Sequence, residues 1–147
     1  MRPAMIASRR PVSLPPTVLV RHLEDAIACL QAATALKRPV TLLSPSDAAL
    51  WLGPGWLVAV ARKAAKAAPG AKCRTLLDCA DRPDLAQAAL RDGTDAILFT
   101  GRPRIAAKLA DIAAAYGAAF LTRRPPALEL ARQRSPGDAL RHWLGAD

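Results

Sequence analysis

Asp78 and Cys79 stand side by side where an apolar run breaks, inside the stretch Arg74–Gly101, RTLLDCADRPDLAQAALRDGTDAILFTG. A cysteine works as a nucleophile through its thiolate, which requires a base or a cation beside it. His22, one of two histidines, is the candidate base, and Asp78 is the carboxylate that would orient it. Asp78 and Asp81 also read as paired carboxylates for acid–base work. Asp81 is more economically explained as a helix cap, because Asp84 three residues on completes a capping-box pattern and Pro83 suits the first turn. Nothing in the order of residues brings His22 to Cys79, and a cysteine here also fits the space between a strand and a helix.

A wider group of polar residues follows the same rule of position. Each apolar run is succeeded by hydroxyls, acids or arginines: Arg21-His22, Ser44–Asp47, Asp78-Cys79, Thr100–Arg102 and Thr122–Arg124. In a parallel sheet the strands all end on one edge, so these residues gather on one rim. Cations, hydroxyls and helix N-termini on a rim favour an anion such as phosphate or carboxylate. The candidate ligand residues are His22, Ser44, Asp78, Cys79, Thr100, Arg102 and Arg124. The competing reading is that the same residue types cap helices and solvate the surface, as they do in any α/β protein.

The elements that must position them are read from periodicity. Strands are expected at Thr17–Val20, Val40–Leu43, Thr75–Leu77, Ala96–Phe99 and Ala118–Leu121. Between them, Leu23, Ile27, Leu30 and Thr34, and again Ile105, Leu109, Ile112 and Tyr116, recur at helical spacing. Ser46 or Asp47 should cap a short helix, Ala48–Leu52, and Gly53-Pro54-Gly55 should separate it from a longer one starting at Trp56. Trp51 and Trp56 bracket that break and suit a core or a subunit contact. After Arg123-Arg124-Pro125-Pro126 a short helix is expected near Leu128–Arg132, then a last one over about Gly137–Leu144.

Five strands alternating with helices predict one α/β domain with a five-stranded parallel sheet between two helix layers, in flavodoxin-like order. The alternative is half of a βα-barrel, since a whole barrel needs about 250 residues and this chain has 147. Residues 1–16, with Arg2, Arg9, Arg10 and four prolines, read as a basic tail, and 17–147 as the single domain. No apolar stretch reaches the length of a membrane span, so no membrane partner and a cytoplasmic location are expected. The three cysteines lack metal-ligand spacing, and neither a metal nor a cofactor is expected. The net charge of +9 invites nucleic acid, but the cations are dispersed and no aromatic interleaves with a basic run, which weighs against it.

Three resemblances follow. From Leu76 to Pro125 the chain resembles a response-regulator receiver domain: LLDCADRPD matches the strand carrying the phosphorylated aspartate (Asp78), ILFTG the strand ending in the switch threonine (Thr100), and GAAFLTRRP the strand ending in a lysine–proline pair, with Arg124 in the lysine's place. That likeness implies an interaction module, because the acidic pair that holds magnesium is replaced by Arg21-His22. Residues 74–101 resemble one βαβ unit of a class II aldolase-type barrel, without that family's metal-binding histidines. The sequence as a whole resembles small α/β proteins of bacteria to which no activity is assigned. Together these readings predict a non-catalytic binding module, a homodimer, holding a small anionic ligand at the rim. The alternatives are a lyase or transferase using Asp78 and Cys79, and nucleic-acid binding through the arginine-rich termini.

Overall fold

The computed structural model describes residues 13–145, and the expectation of a basic tail falls largely on residues 1–12, outside that range. Six parallel strands form one sheet: β1 (Thr17–Leu19), β2 (Val40–Leu43), β3 (Cys73–Asp78), β4 (Ala96–Leu98), β5 (Ala119–Leu121) and β6 (Ala127–Glu129). Their order is β5-β4-β3-β2-β1-β6. The helices are α1 (Leu23–Leu36), α2 (Ala48–Trp51), α3 (Trp56–Ala65), α4 (Pro83–Arg91), α5 (Pro103–Ala115) and α6 (Pro136–Gly145).

This order corrects the flavodoxin-like expectation. Flavodoxin and receiver folds run 2-1-3-4-5 and change winding direction at the first strand. Here β1 to β5 are laid down consecutively, so each right-handed crossover returns to the same side. All helices therefore cover one face, and the predicted three layers are two. Register shows the division. Val18, Leu42, Leu77, Ile97 and Phe99 pack with the helices, whereas Leu43, Leu76, Ala96 and Leu98 form a second cluster that, among the described residues, contains no helical residue. Leu76 and Leu98 are nonetheless fully buried. A face without helices buries its side chains where the sheet curls around them, as barrel walls do, and where chain outside the sheet covers them, as Leu14 does here. The half-barrel alternative fits.

The second correction is β6. Leu128–Arg132 was expected as a helix, and the segment instead forms strand Ala127–Glu129 followed by a 3₁₀ turn at Leu130–Arg132. Pro125-Pro126 holds the chain extended before it, and the free edge of β1 supplies backbone partners, pairing Leu19 with Glu129. A barrel's last strand pairs with its first, and β6 takes that place. The wall is missing between β5 and β6, which only Thr122–Pro126 connect.

Two rim loops hold non-glycine residues at positive φ, Asp47 at 58° and Ala80 at 53°. Neither expected cap forms. Asp47 occupies the N-cap position of α2 without a side-chain cap bond, and the N-cap of α4 is Arg82, whose guanidinium binds Asp84 rather than leaving it free for a capping box.

Candidate functional site

The rim contains one tight polar centre. Asp78 ends β3 and lies in register with Leu98 and Leu121 on the helix-free, concave face. Its Oδ1 accepts the amide of Ala80 at 2.9 Å, which fixes the left-handed turn. Its Oδ2 accepts Arg124 Nη1 at 2.6 Å, and Arg124 Nη2 donates to the Ser44 carbonyl at 3.0 Å. Arg124 follows β5, so its side chain reaches past β4 to β3 and β2. Ser44 is itself buried; its Oγ accepts the Asp78 amide at 2.9 Å and donates to the Pro45 carbonyl. The carboxylate is 6% exposed and the guanidinium 33%. Such a fork fixes a charged donor against two acceptors in one plane.

A second centre faces the same concavity from β6. Glu129 aligns with Leu19 and Leu43 across β6, β1 and β2. It accepts a hydrogen bond from Arg21 at the end of β1 and forms an ion pair at 2.7 Å with Arg132 of the 3₁₀ turn. The Arg21 hydrogen bond, then the charges of Arg132, Arg21 and Arg124, hold the Glu129 carboxyl below the usual range against the opposing effect of desolvation. Arg124 thus acts on both acids. Sequence reasoning placed Arg21 on the rim but missed Glu129, because Ala-Leu-Glu reads as helix; Pro125-Pro126 ahead of it was the available signal for a strand.

The structure brings together three of the predicted residues, Ser44, Asp78 and Arg124, and separates the rest. Cys79 alternates to the helix side and is fully buried, and its thiol donates to the Leu77 carbonyl. Burial, then the neighbouring charge of Asp78, pushes its thiol up to about 12, the opposite of what a nucleophile needs. His22 is exposed and its Nδ1 lies 3.1 Å from Glu24 and 3.7 Å from Asp25, so it does not serve Cys79. Thr100 is exposed, its amide bound to the Ala80 carbonyl. Arg102 occupies the N-cap position of α5 and is exposed, with no hydrogen bond or ion pair to Asp78.

The class II aldolase likeness implies a metal, and the donor set does not fit one. Among the described residues no three His, Cys, Asp or Glu side chains converge to hold an ion. Both mouth carboxylates already carry guanidinium partners.

No family model matches the chain, and neither does any curated protein. Solved structures do. A protein described as a fructose-1,6-biphosphate aldolase from Coccidioides immitis superimposes with a TM-score of 0.58 at 25% identity, covering 72% of this chain and 39% of its own. The YdjI aldolase of Escherichia coli K12 superimposes with a TM-score of 0.57 at 15% identity, covering 90% of this chain and 52% of its own. The chain therefore spans about half the length of these aldolases or less. The likeness agrees with the aldolase-type βαβ reading of residues 74–101 and gives the receiver reading no support. It also overturns the expectation of a non-catalytic module and favours the lyase-type alternative.

Proposed function

We propose that this chain is an aldolase-type lyase domain that makes or breaks a carbon–carbon bond in a small anionic hydroxycarbonyl compound, with Asp78 and Arg124 as its catalytic pair. The observation that carries this reading is the Asp78–Arg124 contact at the strand ends of a half-barrel similar to aldolases. Barrel enzymes do their chemistry at that edge. Three arginines (Arg21, Arg124, Arg132) meet two carboxylates (Asp78, Glu129) at this mouth, leaving one positive charge to attract an anionic substrate.

In the cleavage direction the Asp78 carboxylate takes the proton of the hydroxyl on the carbon β to the existing carbonyl, which is one end of the bond to be broken. The O–H electron pair forms a new carbonyl, the carbon–carbon bond breaks, and its electrons pass into an enolate. Arg124 stabilises that enolate oxygen, since its guanidinium retains N–H donors beyond the two already used. Asp78 then returns the proton to the enolate carbon. No further reactant is required, and no step uses Cys79.

The test is aldol cleavage of a panel of phosphorylated and carboxylated hydroxycarbonyl compounds by the wild type and by Asp78→Asn. Loss of the base should lower kcat by about 10²-fold or more while circular dichroism and melting show the fold retained. Turnover by Asp78→Asn equal to wild type, or no turnover of any panel member by wild type, sinks the proposal.

A further inference from the structure

We propose that the groove between β5 and α5 is a docking site for an acidic amphipathic helix of a partner protein. The groove has a volume of about 540 Å³. Its floor is Phe99 and Phe120, whose ring centroids lie 6.4 Å apart, and one wall is α5 with Ala106, Ala107 and Ala110.

Its position in the fold says what shape fits. Each of β1 to β4 is followed by a helix laid on the same face of the sheet. β5 is not: Thr122–Pro126 leads straight to β6. A right-handed crossover from β5 would place its helix beside α5 over Phe120, and there the groove lies. On α5, Pro103, Ala107, Ala110 and Ala114 are spaced four, three and four apart and so share one face. Small side chains there admit a helix that brings large apolar residues to the aromatic floor.

Charge says which helix. Arg102, Arg104 and Arg123 are exposed and adjoin in sequence the lining residues Gly101, Pro103 and Thr122, and none of their side chains has an ion pair or hydrogen bond among the described residues. The other arginines of this edge are engaged, Arg82 with Asp84, Arg124 with Asp78, and Arg21 and Arg132 with Glu129. Three unpaired guanidinium groups around an apolar slot complement acidic residues flanking an apolar stripe. A second copy carries the same +9 charge, and residues 1–12 contain three arginines, no acid and prolines at 3 and 11. Long-range charge disfavours both at this border.

The probe is a fluorescein-labelled helical peptide with leucines at positions i, i+3, i+4 and i+7 and glutamates elsewhere, read by anisotropy on the full chain. Its control has lysine in place of glutamate. The acidic peptide should bind at least 10-fold more tightly than the basic one and weaken as salt rises. Ala107→Gln, at an exposed position that tolerates bulk, should cut affinity about 10-fold at unchanged melting temperature. The pair Arg102→Ser and Arg123→Ser should cut it several-fold and flatten the salt dependence, and Lys66→Ser should leave it unchanged. Equal binding of both peptides, no binding of either, or indifference to Ala107→Gln overturns the proposal. So does a wild-type dimer that Ala107→Gln dissociates, which would give the groove to a second copy, or tighter peptide binding on deleting residues 1–12, which would give it to that segment. None of these readouts depends on catalytic turnover.

Discussion

Arg124 is the residue on which the mouth depends, because one guanidinium joins three strand ends. Breaking a buried pair from one side costs about 3–5 kcal/mol, since it strands a charge. Arg124 is one-third exposed, so water relieves part of that, and Arg124→Met should cost about 1–3 kcal/mol by chemical denaturation. Arg124→Lys should recover only part, because an ammonium cannot bind Asp78 Oδ2 and the Ser44 carbonyl as a planar fork does. Equal stability of all three proteins would mean the pair is a surface contact. The cysteines point the other way, toward inertness. Burial raises Cys73 and Cys79 to about 12, with Asp95 and Asp78 respectively adding to the rise, and raises Cys29 further. A group whose folded pKa is raised leaves stability intact below its unfolded value, about 8.5 for a thiol, and loses it above. Stability should therefore be flat in the thiol contribution up to pH about 8.5 and fall between there and about 12, and the fall should shrink in Cys79→Ala. Rapid alkylation of Cys79 by iodoacetamide in the native protein at neutral pH would contradict this.

At the scale of elements, the strand end of β4 is packed against its own loop. A Cβ added at Gly101 would collide with the Phe99 ring, and Phe99 is 1% exposed. Gly101→Ala should cost about 1–3 kcal/mol by overpacking; a melting temperature equal to wild type would show that the ring gives way. Elements of this kind differ in how far the sequence exposes them. α5 was legible because Ile105, Leu109 and Ile112 keep helical spacing between Pro103 and Gly117. β2 and β3 were legible because the runs Val40–Leu43 and Thr75–Leu77 end at Ser44 and Asp78. β6 was not, since Ala-Leu-Glu is a good helix sequence and only the free edge of β1 makes it a strand. The caps failed for a similar reason: Asp84 finds the Arg82 guanidinium, a competitor that the capping pattern does not count. Of the site, Ser44, Asp78 and Arg124 could be named from their places after strands, but Arg124 reaching Asp78 past β4 depends on strand order, to which local pattern is blind.

The whole molecule stands or falls on the curl of its sheet. In a flat sheet with helices on one side, Leu76 would face solvent and Leu77 the helices, because side chains alternate. Both are fully buried here, Leu77 with the helix cluster and Leu76 with Leu43, Ala96 and Leu98, against which Leu14, Leu19, Ala119 and Leu121 pack. Removing a core leucine side chain costs about 2–5 kcal/mol, so Leu76→Ala and Leu77→Ala should destabilise by comparable amounts in urea, each with an unchanged m-value. The comparison is sharper than either variant alone, since both residues sit in one strand and share its backbone. A large loss for Leu77→Ala beside a change within about 0.5 kcal/mol for Leu76→Ala would mean the helix-free face is not packed. Asp78 and Glu129 would then project from a flat sheet instead of converging over a concave mouth. The lyase proposal would lose the geometry on which it rests, while the groove on the helix side, built on Phe99 and Phe120, would remain.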